Sequence, residues 1–424
     1  MRQMKNSKIE WVGEIPEHWA THPIYYFFGE RKHKNTLGEE KNLLSLSYGK
    51  VVRKDIATTE GLLPENYNGY NIVEKDDIAL RLTDLQNDKR SLRTGLVKEK
   101  GILTSAYVTL RPIRENFSPY FHYLLHAYDV VKVFYNMGNG VRQGLNFDEL
   151  SKCMLIAPPL SEQKAIAGFL DEKCKEVDAL IADIQQEMET LEQYKRSVIT
   201  EAVTKGLDPS APMKDSGIDW LGMQSVQWLH FKGKYIFRQR NERGNQIELQ
   251  LLSPTQNYGV IPQPLYEEFS GMSAVKLNER MDLSLLKTIH KGDFCISLRS
   301  FQGGFEYSSY EGVVSPAYQV FYPTREICDG YYKYLFKEKS FIAVMNSYTL
   351  SLRDGKNIAF SDFGNTMIPY PPIEEQQQIA DYLDKKCKEI EDIIADKQSQ
   401  IETLESYKKS LIYEYVTGKK EVIA

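Results

Sequence analysis

Two stretches of the chain place an apolar residue at every seventh position. In the first, Leu170, Val177, Ile184, Leu191 and Val198 follow one another at that interval, with Leu180, Ile181, Met188 and Tyr194 beside them. In the second, Leu383, Ile390, Lys397, Leu404 and Leu411 do the same, flanked by Ile393, Ile394, Ile401 and Tyr407, and a lysine interrupts the series. This is the stripe of a coiled coil, and a charged residue within it fixes register at some cost in stability. Pro158-Pro159 and Pro371-Pro372 stop the preceding structure, Ser161 is suited to an N-cap, and Glu162 lies where a helix dipole favours an acid. Gly206 and Pro209 end the first helix. Roughly 40 helical residues span about 60 Å. A helix so long with one narrow apolar stripe needs a long partner, and two helices matched in length and composition satisfy each other better than each would by packing on its own globular neighbour.

Outside these helices the pattern shortens to β-rich runs between Gly, Asn and Asp-rich turns: Leu43 to Ser47, Ile78 to Leu82 and Ala106 to Leu110, then Leu251 to Ser253, Phe294 to Leu298 and Ala317 to Phe321. Shorter helices are predicted over Tyr120 to Tyr135 and Tyr331 to Met345. The two sets correspond. The four tryptophans fall as Trp11 and Trp19, then Trp220 and Trp228, at the same internal spacing, and Ile9-Glu10-Trp11-Val12-Gly13 is answered by Ile218-Asp219-Trp220-Leu221-Gly222. Asp171-Glu172-Lys173-Cys174-Lys175-Glu176 is answered by Asp384-Lys385-Lys386-Cys387-Lys388-Glu389. A period of half the chain excludes a solenoid and predicts an α+β fold: a tandem duplication of a globular domain followed by a long helix, the helices pairing as a coiled coil. The segments are 1–157, 158–206, 207–370 and 371–424.

At 424 residues, 42% of them hydrophobic, the chain is long enough for two or three cored domains. It contains no apolar run of membrane-spanning length and no signal-like start, so a cytoplasmic protein without membrane attachment is expected. Five cysteines without a CxxC pair point to reduced packing residues rather than disulfides or a zinc site. The net charge of −5 is unevenly spread: each helical stretch carries about −4, leaving the rest mildly basic, with concentrations at Arg31-Lys32-His33-Lys34, Lys89-Arg90 with Arg93, and Arg238 through Arg243. Local fields decide whether a phosphate backbone is attracted.

Catalytic motifs are missing. There is no nucleotide-binding P-loop, no G-x-S-x-G elbow and no amino-methyltransferase Asn/Asp-Pro-Pro-Tyr/Phe. Gly138 to Gly144 reads as a turn, and His122 and His126, spaced i, i+4 without an intervening Glu, as one face of a helix. What remains is a binding pattern. Tyr48, Lys50, Arg53 and Lys54, then Lys89, Arg90 and Arg93 in the first half, and Tyr258, Arg299, Ser300 and Gln302 in the second, sit in loops between predicted strands. DNA readers need such mixtures, because Lys and Arg hold phosphates while Arg, Gln and Asn bond to base edges. No catalytic or metal residue is expected. A fused nuclease or methyltransferase with unrecognised motifs, or a helical scaffold bridging partner proteins, is the alternative.

The run from Pro158 to Asp171 and its partner from Pro371 to Asp384, the tryptophan motif Trp11 to Trp19, and the strand Gly292 to Leu298 resemble the specificity subunits of Type I restriction-modification enzymes. The resemblance implies two target-recognition domains, 1–157 and 207–370, each reading half of a split sequence in double-stranded DNA. It further implies conserved helical regions, 158–206 and 371–424, that pair antiparallel and dock two methyltransferase subunits, on which S-adenosylmethionine is expected, with none on this chain. A motor and nuclease subunit joining that assembly is also implied. Met223-Gln224-Ser225-Val226-Gln227 in the second tryptophan motif and Lys397 in the seam depart from the family pattern.

Overall fold

Every strand pairing in the first half of the chain recurs in the second. The structure, a computed structural model, describes residues 2–55, 67–85, 92–137, 144–243, 250–271, 283–296, 304–348 and 358–422. In the first half an antiparallel four-stranded sheet runs Phe28–Glu30, Val108–Pro112, Ile78–Leu80, Thr94–Leu96; in the second the order is Phe237–Gln239, Gln319–Pro323, Phe294–Ile296, Phe305–Tyr307. The inner strands Ile78-Ala79-Leu80 and Phe294-Cys295-Ile296 are buried throughout, as an apolar run without alternation demands. Two-stranded pairings repeat likewise. Leu44–Ser47 with Lys50–Arg53 corresponds to Leu252–Thr255 with Gly259–Pro262, and Ala20–Pro23 with Met154–Ala157 to Leu229–Lys232 with Met367–Tyr370.

The central helix runs Leu160–Lys205 and the C-terminal helix Ile373–Val416. The central helix starts at Leu160, so Ser161 stands inside its first turn and not at the N-cap, while Glu162 is in that first turn as expected. The helix predicted over Tyr331 to Met345 is two, Asp329–Leu335 and Lys339–Ser347, because Glu338 breaks away to accept the Phe341 amide as the second one's N-cap.

The chain divides into two compact units, Met1–Gln185 with Gln398–Ala424 and Gln186–Lys397. Each takes the beginning of one long helix and the end of the other. The core of the first joins Trp19, Phe28, Leu80 and Phe121 to Leu170 of the central helix and Leu411, Ile412 and Val416 of the C-terminal helix. That of the second joins Trp228, Phe237, Phe294 and Phe336 to Val198 and Val203 of the central helix and Ile379 and Leu383 of the C-terminal one. The alternatives weighed from sequence are thus combined: a helix packs on its own domain at one end and on the other domain at its far end. Inside each unit the helices run antiparallel, since Asp178 pairs with Lys408 in the first, and in the second Lys195 pairs with Glu391 at 2.7 Å and Glu187 with Lys397. The lysine that interrupts the seam therefore finds its counter-ion on the facing helix.

Matched hydrogen bonds tie each domain to its helices. The Trp19 indole N–H donates to Glu162 at 3.0 Å and that of Trp228 to Glu375 at 2.8 Å, holding a first-turn acid against a fully buried ring. Gln163 and Gln376 accept the Phe117 and Cys328 amides and donate to the Pro158 and Pro371 carbonyls. At the opposite ends, the Tyr120 hydroxyl donates to the Val416 carbonyl at 2.9 Å and that of Tyr331 to the Val203 carbonyl at 2.8 Å. Those carbonyls belong to last turns, which lack intrahelical donors.

Candidate nucleic-acid interface

The hairpin Leu44–Ser47 with Lys50–Arg53 carries most of the residues expected to meet DNA in the first unit. Its inner strand is anchored by buried Leu44, whereas Lys50, Val52 and Arg53 on the return strand and Lys54 after it are exposed. Tyr48 stands at the tip, 87% exposed. Two of the cations are engaged at the surface: Lys50 bonds to Asp178 of the central helix at 3.3 Å, and the Arg53 Nε donates to Glu99 at 2.6 Å. Lys408 and Lys50 both face Asp178; partial burial opposes ionisation, but their bonds and charges hold its carboxyl below the usual range. Exposed pairs of this sort are weak and exchange readily for another anion.

Arg93 corrects the sequence reading. It is fully buried: its guanidinium donates to the Tyr135 hydroxyl at 2.9 Å and to the carbonyls of Arg81, Thr83 and Asp84. Those groups fix it beneath the Thr83 loop, out of reach of a duplex. Lys89 and Arg90, together with Arg299, Ser300 and Gln302, lie outside the described residues, as do Gly138 to Gln143 of the glycine-containing turn.

In the second unit the turn Gln256-Asn257-Tyr258 is exposed, and Tyr258 rests against Phe269 with ring centroids 5.2 Å apart. Lys337 supports it from below, donating to the Gln256 carbonyl at 3.2 Å and to both oxygens of Glu306 at 2.6 and 2.7 Å. Glu306 is buried; burial outweighs the charge and bonds of Lys337 and moves its carboxyl up to about 7.

The basic concentrations are partly structural. Arg31 holds buried Asp77 at 2.9 Å, and Arg240 holds buried Asp293 at 2.6 Å, the same latch in both units. Lys34 donates to the Gly69 carbonyl, and Arg243 to that of Leu285. Sequence reasoning missed this latch, the tryptophan–glutamate bonds and Asp178. The matched Asp-turn positions, Asp77 and Asp293, were a signal that could have found the first.

Cys174 and Cys387 are buried at equivalent helical positions, their thiols moved up by burial. Among the described residues no group of three or more His, Cys, Asp or Glu is arranged to hold a metal ion. Nor is any described helix long and apolar enough to cross a membrane.

Residues 40–190 and 232–403 match the family described as Type I restriction modification DNA specificity domain. The "Putative type I restriction enzyme MjaX specificity subunit" of Methanocaldococcus jannaschii is 24% identical over 434 residues, covering 99% of this chain and 97% of that protein. The MjaVIII specificity subunit of the same organism is 25% identical over 338 residues, 76% of this chain and 75% of that one. A solved structure described as "Structural basis underlying complex assembly and conformational transition of the type I R-M system" superposes with a TM-score of 0.66 over 96% of this chain and 99% of that one, at 13% identity, and so shares its fold. With two matched segments covering most of its length, each beginning in a globular domain and running into a long helix, the chain belongs to the Type I restriction modification DNA specificity family, two domains in tandem.

Proposed function

We propose that this specificity subunit is a non-catalytic DNA reader in which each globular domain recognises one half of a bipartite double-stranded target. The paired helices set the spacing between the half-sites and dock two methyltransferase subunits, which bind S-adenosylmethionine and methylate adenine; motor and nuclease subunits join the same assembly. One observation carries this reading: the strand pairings and the tryptophan, glutamine and tyrosine bonds to the helix ends recur in both units, whereas the surface hairpins they support differ. A common frame presenting two unlike surfaces suits a target with two unlike halves. The assigned recognition residues are Tyr48, Lys50, Arg53, Lys54 and Tyr258, with Lys89, Arg90, Arg299, Ser300 and Gln302 in the neighbouring loops. The protein acts in the cytoplasm, where its DNA is. Exchanging residues 207–370 for the corresponding domain of a relative tests the reading. The methylated motif of cells expressing the exchanged chain with its methyltransferase is expected to change in one half only; a change in both halves, or in neither, refutes it.

A further inference from the structure

A two-residue hairpin loop needs positive φ at its centre, which is why Asn-Gly and Asp-Gly dominate there. The first unit's hairpin closes with Ser47 opposite Lys50, leaving Tyr48 and Gly49 as the loop, at φ 45° and 77°. Glycine belongs in that region. Tyrosine does not, because its Cβ crowds the following carbonyl oxygen. Nor does burial compensate, for Tyr48, at 87% exposure, is the most exposed large hydrophobic side chain among the described residues. The loop beneath it is held firmly. A Cβ on Gly49 would lie 3.2 Å from Leu92, so Leu92 packs under the turn, and the next residue, Lys50, bonds to the central helix. The second hairpin repeats the dipeptide as Tyr258-Gly259, with Gly259 at φ 71°, but Tyr258 occupies the last place of a three-residue loop, is not at positive φ, and lies on Phe269. Strain, exposure and rigid presentation thus coincide at one of two equivalent tyrosines.

We propose that Tyr48 is a stacking residue: its ring enters a groove of the half-site read by the first unit and packs on a base-pair step, partly unstacking it, while Lys50, Arg53 and Lys54 approach the flanking phosphates. The proposal rests on the DNA-reading function above. An aromatic face stacks on any base, and an apolar side chain driven between base pairs needs a stiff mount so that the force falls on the duplex. A left-handed tyrosine over a packed leucine is such a mount.

The test uses the full chain in complex with its methyltransferase, a duplex carrying its methylated motif, and the variants Tyr48→Asn and Tyr48→Phe. Asparagine suits the loop, so Tyr48→Asn is expected to melt no earlier than wild type and to retain the methyltransferase. It is expected to bind the duplex roughly tenfold more weakly with an unchanged salt slope, because no phosphate contact is lost. Tyr48→Phe keeps the ring and stays within about twofold of wild type. 2-Aminopurine placed along the half-site should brighten when wild type binds and stay quenched with Tyr48→Asn. Wild-type affinity in Tyr48→Asn overturns the stacking role alone. Loss of the methyltransferase from that variant also overturns it, by making the tyrosine a protein contact. A wild-type complex with no preference for the motif overturns the DNA-reading function, and the stacking role with it.

Discussion

Arg93 shows how a residue type misleads when its surroundings are unknown. An arginine in a polar loop between strands is a good candidate for a phosphate, yet this one is enclosed by the backbone it braces, with a hydroxyl and three carbonyls as acceptors. Arg93→Met keeps much of the stem and removes the donors, leaving buried carbonyls unpaired at a cost of roughly 2–4 kcal/mol. Hydrogen exchange resolved by peptide should show the Thr94–Leu96 strand and its neighbours opening more readily, with the second unit unchanged. A second residue-scale consequence is acid sensitivity. Desolvation moves His122 down to about 4 and His126 to about 3, the mutual charge of the pair contributing to the latter. At equivalent places in the second unit stand Lys333 and Lys337, and Glu306, moved up to about 7 by burial, lies against Lys337. A histidine lowered from 6.5 leaves stability unaffected above that pH; below it the unfolded chain gains the proton first, and each histidine withdraws about 1.4 kcal/mol per pH unit until its folded value is reached. Glu306 has the opposite sign, since the folded state holds the proton more tightly and gains as pH falls from about 7 towards 4.5. Between pH 7 and 5 exchange protection should therefore fall in the first unit and not in the second, and His122→Gln with His126→Gln should flatten the slope of the first.

At the scale of elements the seven-residue period served well. The helices begin and end within a few residues of the Pro-Pro and glycine signals, and the seam residues Leu170, Val177, Val198, Leu383, Ile390 and Leu411 are buried. Long helices are legible because their signal accumulates over many turns. Short strands are not: Ala106 to Leu110 becomes Val108–Pro112, and Ala317 to Phe321 becomes Gln319–Pro323, because tertiary pairing places the ends of so short an element. The residues proposed for recognition on the first hairpin were singled out by composition and the structure places Tyr48, Lys50, Arg53 and Lys54 at its surface, but the pairing of Lys50 with Asp178 joins residues far apart in sequence and left no local trace. The helix pair also yields a test of spacing. One heptad inserted after Leu191 and another after Leu404 fall between the level of Asp178–Lys408 and that of Lys195–Glu391, lengthening both helices by about 10 Å with the seam in register. At about 3.4 Å per base pair, the methylated motif should keep both half-sites and gain up to about three unspecified base pairs between them. An unchanged gap in a folded, active variant would mean that something other than the helices sets it.

At the scale of the molecule, the first unit is discontinuous in sequence and the second is continuous. Leu411, Ile412 and Val416 complete the core around Trp19 and Tyr120, while the Tyr413 hydroxyl donates to the Trp11 carbonyl and Lys419 to that of Glu14. A chain cut after Lys397 keeps every residue of the second unit and strips the first of one wall, exposing aromatic core. Peptide-resolved exchange on that fragment should find the second unit protected and residues 1–185 open, whereas protection of both would mean that the first domain closes without the helix.

That discontinuity sets an order of events on the ribosome. The domain translated first has to wait, because the residues that seal it emerge after the whole of the second unit, and contacts across such sequence separations close slowly. Throughout that interval its unsealed hydrophobic face is open to chaperones and proteases. A nonsense or frameshift lesion near residue 400 would thus disable the domain encoded at the opposite end of the gene, leaving a polypeptide with one finished reading head and one marked for destruction. Such a truncated chain is expected to be degraded faster than the full-length one.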